Sequence, residues 1–182
     1  MNKLPLQTRV QILTALSEGV GINAACRMTG ASKNTVLKLL ADVGAACAIY
    51  QDGAMRKLPC TRIEVDEIWS FIGAKEKNVR ADDVAHEDFG DCYTFMAIDP
   101  VTKLMPCWLV GVRSPECTNE FIADLKARMS NRIQLTTDGY TSYLAAVENA
   151  FGGKVDYAVD GVNYPDRPAP IILAGGGGGI FG

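Results

Sequence analysis

The sequence predicts an α/β body, a mixed sheet with flanking helices, preceded by a small all-α helix-turn-helix head. Three observations point there. Residues 1–50 carry apolar side chains at helical spacing, interrupted by glycines. Residues 62–158 alternate stretches rich in β-branched and aromatic residues with amphipathic stretches of helical length. Charge divides at the same place. Up to position 50 there are five basic and two acidic residues, a net +3, which leaves −6 on the remainder of a chain whose total is −3. A mildly basic head on an acidic body suggests two different tasks.

At 182 residues the chain has room for one full domain and a small one. Its 48% apolar and 21% charged content is ordinary for a soluble globular protein. No apolar run approaches the roughly 20 residues of a membrane span. Residues 1–18 are amphipathic rather than a basic start with an apolar core, so no secretory leader is expected. The six cysteines include no closely spaced pair, and His86 is the single histidine. That composition argues against zinc and for reduced thiols in a cytoplasm.

In chain order, residues 5–18 read as a first helix, with Leu6, Val10, Leu13 and Leu16 as its apolar stripe. Residues 22–29 form a short second helix, Gly30 makes a tight turn, and Ser32 caps a third helix running to about Val43. Ala25, Gly30, Val36, Leu39 and Leu40 fall where a helix-turn-helix needs a small contact residue, a turn glycine and core residues. Ser32, Lys33, Asn34, Thr35 and Lys38 would then be exposed on the third helix, types that reach phosphates and base edges. The alternative is a three-helix core with no DNA contact.

Residues 51–61 read as a linker, containing Gly53 and Pro59. A strand follows at 62–73 (RIEVDEIWSFIG), then a charged stretch at 75–91 read as a solvated loop, with His86 at its surface. Strands are expected at 92–99 and 104–112, joined by the turn Asp99-Pro100-Val101-Thr102, with Pro106 marking an edge or a bulge. A helix at 116–129 turns Phe121, Ile122, Leu125 and Met129 inward. A fourth strand at 132–136 stops at Asp138-Gly139, a helix spans 142–150, and a fifth strand takes 155–158. The crossover helix lets the fourth strand lie parallel beside the first.

Adjacent carboxylates, Asp66 and Glu67, sit inside the first, mostly apolar strand. They point to opposite faces and so do different work. A carboxylate in such a strand costs several kcal/mol unless paired or bound to a cation. The expected topology brings Asp66 close to Asp138, and two such acids repel unless cations sit between them. Phosphoryl transfer with two Mg²⁺ ions about 4 Å apart needs such an arrangement. Alternatively, Asp138 simply caps the turn before the next helix.

The order of a helix-turn-helix, then VDEIWSFIGAKEKN, then LTTDGYTSYLAAVENAFGGKVDYA, resembles transposases of the insertion sequence one family over residues 1–158. The resemblance implies a ribonuclease H-like catalytic domain of DDE type. It implies that Asp66 and Asp138 are the first two acids of the triad and bind Mg²⁺ or Mn²⁺, so that water and then a 3′-hydroxyl attack phosphodiesters. The expected partners are double-stranded DNA at element ends and further copies of the chain, with no membrane involved. Glu67 would face away from the metals and orient or pair elsewhere. Tyr140 and Tyr143 lie beside the second acid, with core packing and DNA-backbone contact both open.

The sequence departs from the family twice. The usual zinc-binding segment before the helix-turn-helix is not found, and no glutamate follows Ala158 to serve as the third acid. Residues 159–182 are rich in Pro and Gly and are expected to be disordered. The domains expected are therefore a head at 1–50, a linker at 51–61, a partial catalytic domain at 62–158 and a tail. The expected function is DNA cleavage and strand transfer, weak or lost without the third acid. The rival is a non-catalytic DNA-binding regulator or inhibitor of transposition.

Overall fold

The computed structural model describes residues 4–79 and 89–160; His86 and the tail from residue 161 onward lie outside them. The chain divides into two compact units, Met1–Ala54 and Met55–Gly182.

The first unit holds three helices, α1 (Leu6–Ser17), α2 (Ile22–Thr29) and α3 (Lys33–Ala54). Its core gathers Ile12, Ala31 and Val36, with Leu16, Ile22 and Leu39 against them. The inward face of α1 is therefore not the whole expected stripe: Leu6 and Val10 are exposed, while Ile12 and Ala15 are buried. Helices α2 and α3 cover only a narrow strip of α1, and the Ile12–Ala15–Leu16 spacing fits that strip. Gly30 ends α2 in the left-handed region at φ 72°, the conformation glycine adopts at least cost. Helix α3 runs eleven residues past Val43, to Ala54. Gly44 and Gly53 each cost about 1 kcal/mol relative to alanine, too little to stop a helix seeded by Ala41, Ala45 and Ala46.

The second unit is a five-stranded mixed sheet in the order β3-β2-β1-β4-β5. Its elements are β1 (Arg62–Ile72), β2 (Gly90–Ile98), β3 (Trp108–Gly111), α4 (Pro115–Arg128), β4 (Ile133–Thr137), α5 (Ser142–Phe151) and β5 (Val155–Val159). β1 pairs antiparallel with β2 from Glu64↔Ile98 to Ile72↔Gly90, and β2 with β3. β4 lies parallel to β1, with Arg62↔Gln134 to Glu64↔Thr136 in register, and β5 lies parallel to β4. β3 is an edge strand of four residues, shorter than 104–112, because the chain through Pro106 cannot donate to a ladder at that position.

One core joins Ile63 and Val65 of β1, Phe95 and Ala97 of β2, and Phe121, Ile122 and Leu125 of α4 to Tyr143, Ala146, Val147 and Phe151 of α5. Both helices thus cover the odd-numbered face of β1. Each fully buried Leu, Ile or Phe there contributes about 1.5–3 kcal/mol. Ser114 caps α4 by accepting from the Cys117 amide at 3.3 Å, with Pro115 at the first helical position. All six cysteines are free thiols. Among the described residues no helix is long and apolar enough to cross a membrane.

Candidate functional site

In the first unit Ser32, Lys33, Asn34, Thr35 and Lys38 are all exposed on the first turns of α3 or at its cap. Ser32 Oγ accepts from the Thr35 amide at 3.3 Å and lies 2.8 Å from Thr35 Oγ1, which satisfies an otherwise unpaired donor of the helix start. Lys38 Nζ sits 3.2 Å from Asp42, a solvated pair one turn apart that contributes little to stability. Asn34, Thr35 and Lys38 also line a cavity of about 790 Å³ that continues along α3 to Tyr50.

In the second unit one acid of β1, Glu67, and Asp138 just beyond β4 converge on one arginine. Alternation along β1 sends Ile63, Val65 and Glu67 to the helix-covered face. Glu67 is therefore nearly sealed, with its side chain only 4% exposed. Its Oε1 accepts a short hydrogen bond from the hydroxyl of Tyr143 on α5. Its Oε2 lies 3.0 Å from Nη2 of Arg113, in the loop between β3 and α4. The same Nη2 lies 3.1 Å from Oδ2 of Asp138, one residue past β4. Asp138 Oδ1 accepts from the Tyr140 amide at 2.9 Å, the turn-capping role open to an Asp-Gly pair.

Aromatic rings complete the cluster. The Arg113 guanidinium stacks 4.1 Å from the Tyr140 ring centroid and 5.8 Å from that of Tyr93. Tyr140 donates its hydroxyl back to the Arg113 carbonyl at 3.1 Å. Tyr140 and Tyr143 meet edge to face at 5.7 Å. Burial pushes the Glu67 carboxyl above its ordinary range. The Tyr143 hydroxyl and Arg113 pull it back, while the Asp138 and Asp66 charges push with burial. Burial, and then the Glu67 carboxylate, drive the Tyr143 hydroxyl far upward, so it remains a proton donor.

Asp66 is placed differently. It sits on the opposite face of β1, opposite Met96 in the ladder, and is half-buried. Its Oδ1 accepts from the amide of its own neighbour, Glu67, at 2.8 Å. Asp138 is thus joined through Arg113 to Glu67, while Asp66 engages backbone. Glu67 does pair elsewhere than with Asp66, yet through Arg113 it shares a cation with Asp138, which its expected orientation away from the site did not include. Arg113 itself carries no sequence signal beyond standing between a strand and a helix cap. Tyr143 could be suspected only from its nearness to Asp138.

Carboxylate oxygens are the hard donors that Mg²⁺ and Mn²⁺ prefer, and Glu67 and Asp138 already aim at one shared cation position. The Arg113 guanidinium stands in the position between Glu67 and Asp138. Among the described residues no group of three or more His, Cys, Asp or Glu side chains is placed to hold a metal.

No protein-family model matches the chain, and no curated protein matches it. A similar solved structure is the cryo-EM structure of a simian T-cell lymphotropic virus intasome in complex with the PP2A regulatory subunit B56 gamma, with a TM-score of 0.38 and 11% identity. The match covers 87% of this chain and 53% of that one, so this chain spans about half of that chain's length. At that score the likeness carries no argument about function.

Proposed function

We propose that the chain is a DNA transposase of DDE type, with a ribonuclease H-like sheet that cleaves and joins phosphodiesters at insertion-element ends. The observation that carries this reading is the placement of Asp66 within β1 and Asp138 just past β4, on adjacent parallel strands at the centre of the β3-β2-β1-β4-β5 order. Sites in sheets of this kind gather at the carboxyl ends of parallel strands. Asp66 and Asp138 would hold Mg²⁺ or Mn²⁺, with Glu67 and Tyr143 beneath them as a buried support. A bound divalent ion activates the attacking oxygen and stabilises the leaving one. Ser32, Lys33, Asn34, Thr35 and Lys38 would hold duplex DNA at the exposed start of α3, where cationic and amide side chains meet phosphates and base edges.

The test is Mg²⁺- or Mn²⁺-dependent nicking and joining of duplexes bearing the element's ends. Asp66→Asn and Asp138→Asn should each lower it about 100-fold or more while leaving DNA binding intact. Cleavage that persists unchanged in both variants ends the catalytic reading.

One observation favours a second reading. Arg113 already neutralises Asp138, which suits a DNA-binding regulator that uses no metal. That protein would bind DNA equally well with Asp66→Ala and show no divalent-ion affinity.

A further inference from the structure

We propose that the groove along α3 is the contact surface for a second copy of this chain, with the two α3 helices packed antiparallel. Val36 is the buried residue of α3, and most of the helix beyond Val43 is exposed. Ile49 and Tyr50 are 77% and 75% exposed, and Asp52 is the sole charge from Val43 to Ala54. Helices in proteins are held chiefly by packing of an apolar face, and this stretch has such a face without a neighbour on it. Leu39, Val43, Ala46 and Tyr50 line the cavity of about 790 Å³, together with Leu4 and Arg9. Their spacing of four, three and four residues is that of a coiled-coil seam.

That spacing reads the same in both directions, so the stripe complements itself when one copy is reversed. Leu39 then meets Tyr50 of the other copy, and Val43 meets Ala46. The small pair at the centre, beside Gly44 and Ala45, lets the two backbones approach, and the larger pair closes each end. Charge selects the direction. Helix α3 carries Lys33 and Lys38 near its start, no acid in its first turn and no base in its last, an order that opposes its own dipole. A reversed partner brings Lys38 beside Asp52 and the negative helix end of the other copy, twice by symmetry. A parallel partner would set like charges together. In the antiparallel register the start of α3 overhangs the partner's end at Ala54, which leaves Ser32, Lys33 and Asn34 outside the seam. The pairing needs neither metal nor DNA.

Sedimentation equilibrium of the full chain should show a dimer in the micromolar range. Val43→Glu and Ala46→Glu place a charge in the seam and should each raise the dimer Kd at least about tenfold. Ala41→Glu, on the opposite face of the helix, should leave it within about twofold. A zero-length carbodiimide cross-linker on mixed labelled and unlabelled chains should join Lys38 of one copy to Asp52 of another. Within one helix those residues are about 21 Å apart, too far to be joined. A chain that stays monomeric throughout the micromolar range overturns the proposal, and so does a dimer insensitive to both seam variants. A dimer that the seam variants weaken but that lacks the Lys38–Asp52 link overturns the antiparallel arrangement. Should either glutamate variant lose helicity by circular dichroism, Tyr50→Ala decides. Its truncation removes an exposed ring, leaves the single chain folded and should raise the Kd about tenfold, and an unchanged Kd overturns the pairing.

Discussion

Asp66 and Glu67 are neighbours in sequence with the same charge, and they occupy opposite environments. Asp66 is half-buried and bonded to the amide beside it, a contact that any short acceptor at that position could make. Glu67 is buried under α5 and held by Tyr143 and Arg113, groups from distant parts of the chain. One step along a strand thus separates a half-buried acid bonded to the backbone from one committed to the fold. Acid character alone does not mark a catalytic group; the face it lands on decides.

Stability separates the two acids most sharply. Glu67→Ala should lower the unfolding free energy by about 2–3 kcal/mol in urea titrations. Breaking a buried ion pair costs about 3–5 kcal/mol, and the value is reduced here because Arg113 remains a third exposed. Asp66→Asn keeps the acceptor and should change stability by no more than about 0.5 kcal/mol. Equal losses in the two variants would erase the distinction. Next in size, Tyr143→Phe leaves a buried Glu67 oxygen without its donor and should cost about 1–3 kcal/mol in the same measurement.

The smallest effect is pH-dependent. The Glu67 carboxyl is raised above its ordinary value chiefly by burial, so the folded chain holds that proton longer than the unfolded one. Its contribution is complete below the unfolded value of about 4.3 and is lost as pH rises through the higher folded value. The stability of the parent relative to Glu67→Gln should therefore fall from about pH 4 upward. A difference that stays flat, or grows with pH, places Glu67 in a wetter setting than its 4% exposure indicates.

Most of what could be read from the sequence was local, the parallel pairing of β4 beside β1 being the exception. The strand character of RIEVDEIWSFI, the Ser32 cap and the inward face of α4 each depend on residues within one or two turns, and all three are present. The extent of α3 escaped because glycines weaken a helix without ending it. The inward strip of α1 escaped because several apolar faces were available and only packing partners choose among them. The Arg113 cluster escaped for a deeper reason. Its hydrogen bonds span 25 residues to Asp138, and the Tyr143–Glu67 bond spans 76, so no window of sequence contains the site.

The pairing of β1 with β4 ends at Glu64↔Thr136, whereas its pairing with β2 continues to Ile72. Beyond Glu64 the sheet opens like a fork, with Asp66 and Glu67 on one tine and Asp138 near the tip of the other. A ladder zipped to the end would fill that crotch with main-chain bonds and leave no room for chemistry. The Glu67 amide, satisfied by its neighbour's carboxylate, shows how the backbone tolerates the gap. An extra hydrogen-bonded rung across the opening would make a tidier sheet and crowd the space that the Arg113 side chain occupies between Glu67 and Asp138.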